Sequence, residues 1–402
     1  MRALHQYKHQ GDNTVATYQG LRLPWGKAHL PLWVVGYDVE VGVAMEEVEE
    51  CIQDPRDAAF LLGHTHEQCI QEHADKLTHS EWGAPYLTME QYFEREKDLY
   101  ATEFAEAAMT AYVLVPTTAP NTLDFLAYLE VFKRPCLYTG TRTYGYSIDA
   151  VFTPVHHRRK GYAATLLQRI VELFHDHDGV VISNLYSDIG PRFYSDKGWK
   201  VHSADELVLP STHVIPPDES PAVHLLPVES ALDRVCRDDL MYMEQATKTG
   251  SPSVYFLLTP SLVQWFQVRS HFYARTKTAF PSPPRSLGVY LLDHEVEKNS
   301  TMMGVATEYM VWTHDFEYSE LTILRCRVSE AHGRAFVRAA VAQADEWSLA
   351  SVCLWNPERW LAAAFSEFMT TRTDDLPSLL VREGVDDKHH VTWFGNEKYC
   401  WV

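Results

Sequence analysis

One segment constrains the fold of this chain more than any other. Tyr144, Tyr146, Ile148, Ala150 and Phe152 alternate with Gly145, Ser147, Asp149 and Val151, the period of a strand with one polar face. Pro154 ends it. Ala163, Leu166, Leu167, Ile170, Val171 and Phe174 then recur at helical spacing, and Val180–Leu185 reads as a buried parallel strand. A strand, a crossover helix and a parallel strand together call for a layered α/β architecture.

Other elements extend this core. Ala59–Leu62 reads as a short first strand and Glu67–Leu77 as a helix. Thr88 with Gln91 three residues on is a capping box that opens a charged helix to about Leu99. Thr110–Val115 and Leu123–Phe132 read as strands. A proline-rich stretch, Pro210 to Pro227, marks a junction. Beyond it come helices at Ala231–Ala246 and Ser261–Ala274, the second opened by Thr259 and Pro260. Strands follow near Leu287–Leu292, Met302–Trp312 and Leu321–Val328, then a helix at Ala331–Leu349 and a strand at Ser351–Trp355. The order strand, strand, helix, strand repeats the first half, which is the pattern of a structural duplication. Residues 1–57, including an acidic helix at Met45–Ile52, form an extension with no assigned role.

Charge narrows the function. Lys and Arg number 35 and Asp and Glu 54, a net charge of −19 that excludes a non-specific nucleic-acid binder. No run is long and apolar enough for a bilayer span, and no secretory leader is visible. Seven scattered cysteines without a CxxC pair read as reduced thiols of a cytoplasmic protein.

Against that acidic background, Ala150–Val171 contains no acidic residue. Its turn reads Thr153-Pro-Val-His-His-Arg158-Arg159-Lys160-Gly161-Tyr162-Ala163. A helix N-terminus here presents backbone N–H groups and the positive end of its dipole, and Gly161 lets an anion approach the backbone. Charge and spacing alone fit both a phosphate site and an ordinary basic turn.

The motif Arg158-x-x-Gly161-x-Ala163 after a strand resembles the pyrophosphate loop of the GNAT superfamily of N-acetyltransferases. Leu185-Tyr-Ser-Asp-Ile-Gly-Pro-Arg-Phe-Tyr194-Ser-Asp-Lys-Gly198-Trp199 is similar to that superfamily's short helix, which ends in tyrosine, a few residues, glycine and an aromatic. Gly198 suits a left-handed C-cap. In detail, both segments resemble the fungal lysine N-acetyltransferases that acetylate free L-lysine at the start of its breakdown. The likeness extends to His79-Ser-Glu-Trp82, Glu90–Arg95, Trp265–Tyr273, Trp312–Phe316, Leu354–Pro357 and Asn396–Trp401, and so covers roughly residues 60–402.

The resemblance implies a GNAT fold, a mixed twisted sheet flanked by helices. It also implies transfer of acetyl from acetyl-CoA to an amine by direct attack, with no metal. Val151, Phe152, Thr153, Arg158, Arg159, Lys160, Gly161, Tyr162 and Ala163 would hold the cofactor, with a backbone N–H near Val151 facing the thioester oxygen. Tyr194 is the candidate acid for the leaving thiolate. A lysine ammonium, with a pKa of ~10.4, must lose a proton before it attacks. Asp149, beside Ser147 on the polar strand face, and Glu130, which interrupts the row Leu126, Tyr128 and Phe132, are the candidates to take it. A carboxylate in either position is more often a solvated strand residue.

The division expected is 1–57 as the extension, 58–212 as the catalytic domain, and 213–402 as a degenerate GNAT-like domain that shapes the amine pocket. In the second half the corresponding turn is Val328-Ser-Glu330-Ala-His-Gly333, and Glu330 would repel a pyrophosphate. The histidine pairs His64/His66, His175/His177 and His389/His390 lack partners at ligand spacing. Cys136 has no nucleophile setting. Rival readings are an acetyltransferase for another small amine or a protein lysine, and a non-catalytic acyl-CoA-binding protein of the same fold.

Overall fold

The computed structural model describes residues 5–8, 15–18, 60–65, 68–178, 180–217, 222–227, 231–248, 250–277, 284–292, 306–383 and 391–402. The expected helix Met45–Ile52 and most of the 1–57 extension lie outside these. The extension's described strands, β1 (His5–Lys8) and β2 (Val15–Tyr18), pair with each other antiparallel.

The first half continues with β3 (Phe60–Thr65), α1 (Gln68–Trp82), α2 (Met89–Tyr100), α3 (Glu103–Ala108), β4 (Met109–Pro116), β5 (Ala127–Tyr138), β6 (Thr141–Phe152), α4 (Tyr162–Asp178), β7 (Val180–Ser187), α5 (Arg192–Ser195), β8 (Lys200–Val201) and β9 (Asp205–Pro210). The capping box on α2 forms as read: Gln91 N donates to Thr88 Oγ1 at 3.2 Å, and Thr88 N donates to Gln91 Oε1 at 3.0 Å. Several strand bounds differ from the sequence reading: β3 runs on to Thr65, past the expected end at Leu62, and the strand expected to end at Trp312 runs on to Asp315. β5 begins at Ala127, not Leu123, because Asp124 N turns onto Thr122 Oγ1, and it runs on to Tyr138.

The second half comprises β10 (His224–Pro227), α6 (Leu232–Ala246), β11 (Ser253–Phe256), α7 (Pro260–Lys277), β12 (Ser286–Leu292), β13 (Ala306–Asp315), β14 (Glu320–Arg327), α8 (Gly333–Glu346), β15 (Ser351–Trp355), α9 (Arg359–Ala364), β16 (Met369–Thr371), β17 (Leu376–Glu383) and β18 (Thr392–Trp393). Thr259 caps α7 by accepting from Leu262 N at 3.3 Å.

Two mixed sheets result, and they repeat one local plan. In the first, β5 and β6 are antiparallel, β6 and β7 parallel, and β17 flanks β7 antiparallel. In the second, β13 and β14 are antiparallel, β14 and β15 parallel, and β9 flanks β15 antiparallel. The strand beside each parallel pair therefore comes from the other half of the chain. β9 precedes residue 212 yet belongs to the second sheet, while β11, β17 and β18 follow it yet belong to the first. The exchange ties the halves together by main-chain hydrogen bonds.

α4 seals one face of the first sheet. Leu166, Leu167 and Ile170 are fully buried there and pack with Val181, Leu185 and Trp199. α8 does the same for the second sheet through Phe336, Ala340 and Ala344. Apolar stripes at helical spacing meeting apolar strand faces account for both layers.

Candidate active site

The site begins where β6 leaves β7. The two strands pair only at Tyr146–Ser183 and Ser147–Asn184, and then part. On its other side, β6 keeps register with β5 through Val131–Ile148 and Glu130–Asp149, and then jumps to Tyr128–Phe152. Ala150 sits in the jump with φ +49, a left-handed conformation unusual for alanine. The extra residue bends the strand and re-aims its neighbours, as a β-bulge does. It opens a wedge beside Asp149, Ala150 and Val151.

The turn after β6 holds the sequence-predicted loop. Val155–His157 forms one turn of 3₁₀ helix, Arg159 takes φ +65 and Gly161 φ +84, and α4 starts at Tyr162. A Cβ placed on Gly161 would meet nothing within 4 Å, so the space in front of the helix N-terminus is open. Arg158 turns toward α1: its guanidinium donates to Glu81 Oε1 at 2.7 Å and to Thr153 O at 3.0 Å. Phe152 is buried and meets Trp82 edge-on. Arg159, Lys160 and Gly161 are exposed, while Thr153, Tyr162 and Ala163 are half-buried.

The matching turn of the second half is closed. There the carboxylate of Glu308 accepts from Ser329 N at 3.1 Å and pairs with His332 Nδ1 at 2.9 Å. A Cβ on Gly333 would run into the Trp360 ring. Negative charge and an indole fill the position that Gly161 leaves empty. It is Glu308, not the neighbouring Glu330 singled out from sequence, that caps this turn.

Beneath the wedge lies a cavity of about 460 Å³. Its walls come from α1, α2, β5, β6, β7, α7, the β13–β14 turn and the segment Lys398–Val402. That segment is anchored by Arg134, which is buried and donates to Tyr399 O at 3.0 Å and Cys400 O at 2.9 Å. Asn184 adds a bond to Cys400 O at 3.0 Å and accepts from Ser147 Oγ at 2.7 Å.

The lining is acidic. Asp75, Glu81, Glu96, Glu130, Asp149, Asp188, Asp315, Glu317, Asp374 and Asp375 face Arg95, Arg269 and Lys398. Arg269 is held by Glu317 at 2.5 Å, and Arg95 by Glu96 at 2.9 Å with a further bond to Tyr273 Oη at 2.8 Å. Glu130 and Asp149 both belong to this lining, Glu130 buried and Asp149 half-buried, so neither is a fully solvated strand residue. Burial pushes Glu130 up to about 8, helped by the charge of Asp149, and Asp149 up to about 7. Asp75, on α1, rises to about 7 for the same first reason, with Glu96 adding to it. Carboxyls near neutrality in a cleft have the poise of acid–base groups.

Tyr194 lies on α5, just after β7, and is 8% exposed. Burial, then the charges of Asp149 and Asp188, hold its phenol well above the ordinary value, so it keeps its proton. Gly198 takes φ +103 and its N–H bonds to Ser195 O, the left-handed helix end read from sequence. Tyr194 does not line the cavity of Glu130 and Asp149.

Sequence reasoning missed Asp75, Tyr100, Arg269 and His314, which enter from α1, α2, α7 and β13. His314 is fully buried, and burial lowers its pKa to about 3. Among the described residues neither of its ring nitrogens has a hydrogen-bond partner. Cys136 is fully buried with its thiol pushed up to about 12, which suits no nucleophile. Cys136, Cys236, Cys326, Cys353 and Cys400 are all free and buried. Of the histidine pairs weighed for metal, His66, His389 and His390 lie outside the described residues. One other group, Asp124 with His156 and His157, brings three ligand-type atoms within 4.8 Å of one another. Among the described residues no helix is long and apolar enough to cross a membrane.

A strand that splays from its parallel neighbour at a bulge, followed by a glycine turn and a crossover helix, defines the GNAT fold, and the chain carries that plan twice. Residues 206–402 match the family described as the LYC1 GNAT-like C-terminal domain. Two solved structures share the architecture. One is a conserved protein of unknown function and probable N-acyltransferase from Enterococcus faecalis V583, with a TM-score of 0.53 and 13% identity, covering 81% of this chain and 73% of that one. The other is a GCN5-related N-acetyltransferase from Anabaena variabilis ATCC 29413, with a TM-score of 0.50 and 14% identity, covering 79% and 72%. No curated protein matches the chain in sequence.

Proposed function

We propose that this protein is an acetyl-CoA-dependent N-acetyltransferase that acetylates the ε-amine of free L-lysine, by direct attack in a ternary complex. The observation that carries the reading is the placement of the acidic cavity at the β6–β7 wedge, on the strand that leads into the open Gly161 turn. Ten carboxyl side chains against three cationic ones favour an ammonium-bearing acceptor.

In this reading the backbone of Arg158–Ala163 cradles the pyrophosphate at the start of α4. The N–H near Val151 faces the thioester oxygen as charge develops there. Glu130 or Asp149 takes the proton of the ammonium, and Tyr194 returns one to the departing thiolate. Residues 58–212 supply this machinery, and residues 213–402 contribute α7, the β13–β14 turn and the last segment to the amine pocket. The reaction belongs to the cytoplasm and needs no metal.

An acetylation panel with free lysine, ornithine, polyamines and a lysine peptide, read by product mass, tests the proposal. Preference for free lysine is the expected result. Turnover of another amine in preference would reassign the acceptor. Calorimetric binding of acetyl-CoA with turnover of no amine would make the chain a non-catalytic binder.

A further inference from the structure

Four side chains of the cavity wall form a hydrogen-bonded chain. Tyr128 Oη donates to Glu130 Oε1 at 2.6 Å. Tyr100 Oη lies 3.0 Å from that same carboxyl oxygen and 3.3 Å from Asp75 Oδ1. Tyr100 has one hydroxyl proton and stands between two carboxyl groups. When that proton goes to Glu130, Asp75 can bond to the tyrosine oxygen only with a proton of its own. When it goes to Asp75, Glu130 must supply one in turn. Both contacts are satisfied by separate hydrogen bonds only if at least one of the two carboxyls is protonated.

We propose that Tyr100 couples Asp75 and Glu130 into a relay that carries the acceptor ammonium's proton away from the acetyl-transfer wedge. The proposal rests on the acetyltransferase reading above. Glu130 faces Asp149 at the wedge, and Asp75, on α1 one turn from the exposed Glu72, lines the same cavity farther from that register pair along the chain of hydrogen bonds. Tyr100 joins the carboxyl beside the wedge to the carboxyl on α1.

The protons balance over one cycle. At rest Asp75 is protonated and donates to Tyr100, which donates to ionised Glu130. The ammonium gives a proton to Glu130 and becomes a neutral amine. Asp75 then releases its proton to solvent. Glu130 donates to the Tyr100 oxygen as Tyr100 donates to Asp75, which restores the first state. One proton leaves the ammonium and one reaches water.

Other charges bear on the pair: Glu72 from α1, Arg95 and Glu96 from α2, and Asp149 from β6. Glu96 raises both carboxyls, Glu72 adds to this at Asp75 and Asp149 at Glu130, and Arg95 opposes it at Asp75; the charge of Asp75 in turn raises Glu130, which is the coupling the relay requires.

Tyr100→Phe keeps the ring and removes the link. We expect kcat at neutral pH to fall about tenfold to 100-fold, with the KM for acetyl-CoA and the melting temperature unchanged. The loss should shrink at high pH, and also with S-(2-aminoethyl)-L-cysteine, whose amine is less basic. A second readout needs no turnover. Carboxyl ¹³C NMR of the wild type should show Asp75 and Glu130 titrating together, and Tyr100→Phe should separate them. Wild-type turnover combined with independent titration of the two carboxyls overturns the relay alone, as does wild-type kcat in Tyr100→Phe across the pH range. Absence of turnover in the wild type overturns the acetyltransferase reading and takes the relay with it.

Discussion

Glu130 and Asp149 face each other across β5 and β6 at the last register pair before the Ala150 bulge. Two carboxyl groups, Glu130 buried and Asp149 half-buried, thus stand side by side where the strand turns toward the wedge. Neither has a cation as its main electrostatic partner, so burial governs both, and each is held near neutrality.

That placement sets opposite signs for activity and stability. A carboxyl acting as base must be ionised, so kcat/KM should rise with pH as the pair passes about 7 to about 8, and level off above. The folded state holds these protons above the ordinary value of 4.5 for Glu130, where the unfolded chain has already released them. Folding stability should therefore fall as pH rises from there through about 8. Glu130→Gln should lower kcat by about 10²–10⁴ and flatten the dependence of melting temperature on pH. A wild-type kcat/KM that does not change across this window would remove both carboxyls as bases.

Gly161→Glu should abolish acetyl-CoA binding and leave the chain folded. At φ +84 any side chain costs about 1–2 kcal/mol of backbone strain, which a domain of this size tolerates. A carboxylate some 4 Å from a phosphate charge costs about 4 kcal/mol at an effective dielectric constant near 20, roughly a thousandfold in affinity. Gly161→Ala carries the strain without the charge, and should bind far better than the glutamate variant. Equal acetyl-CoA affinity in wild type and Gly161→Glu, measured by calorimetry, would end the phosphate-loop assignment.

Gly333→Ala is the mirror experiment. The new methyl group would overlap the Trp360 ring, so overpacking should cost about 1–3 kcal/mol of stability. Acetyl-CoA affinity should not change, because Glu308 and Trp360 already close that turn to an anion. Weakened acetyl-CoA binding at full stability would show that the second half takes part in holding the cofactor.

What the sequence made legible follows from where the signals are local. The period of β6, the glycine turn, α4 and the Tyr194–Gly198 helix end each lie within a few residues, and all appear where expected. Glu130 and Asp149 stood out because each breaks an apolar pattern on a strand. The exchange of β9 and β17 had no such signal, since pairing between strands more than 140 residues apart leaves no mark in either one. Asp75 and Tyr100 were hidden differently: on a charged, amphipathic helix an acid or a tyrosine reads as surface until a sheet is packed against it. The bulge was hidden because alanine, not glycine, takes the positive φ at residue 150.

Tyr194 remains to be tested as the acid. Phenylalanine keeps the ring that packs with Phe193 and the apolar core under α4 and β7, and loses only the hydroxyl. The phenol is held protonated by burial and by the charges of Asp149 and Asp188, so it has a proton to give at neutral pH. If it protonates the departing thiolate, Tyr194→Phe should lower kcat far more than it changes KM for either substrate. General acid catalysis is worth ~10²–10⁴-fold, with the low end expected where water can substitute. The loss should shrink with an acyl donor whose leaving thiol is more acidic, because that thiolate needs a proton less. A tyrosine that only packs gives a different result: equal losses with both donors, or a lower melting temperature with normal turnover. Turnover of both donors by wild type and variant, with melting curves alongside, separates the two roles, and full activity with the natural donor would end the acid assignment.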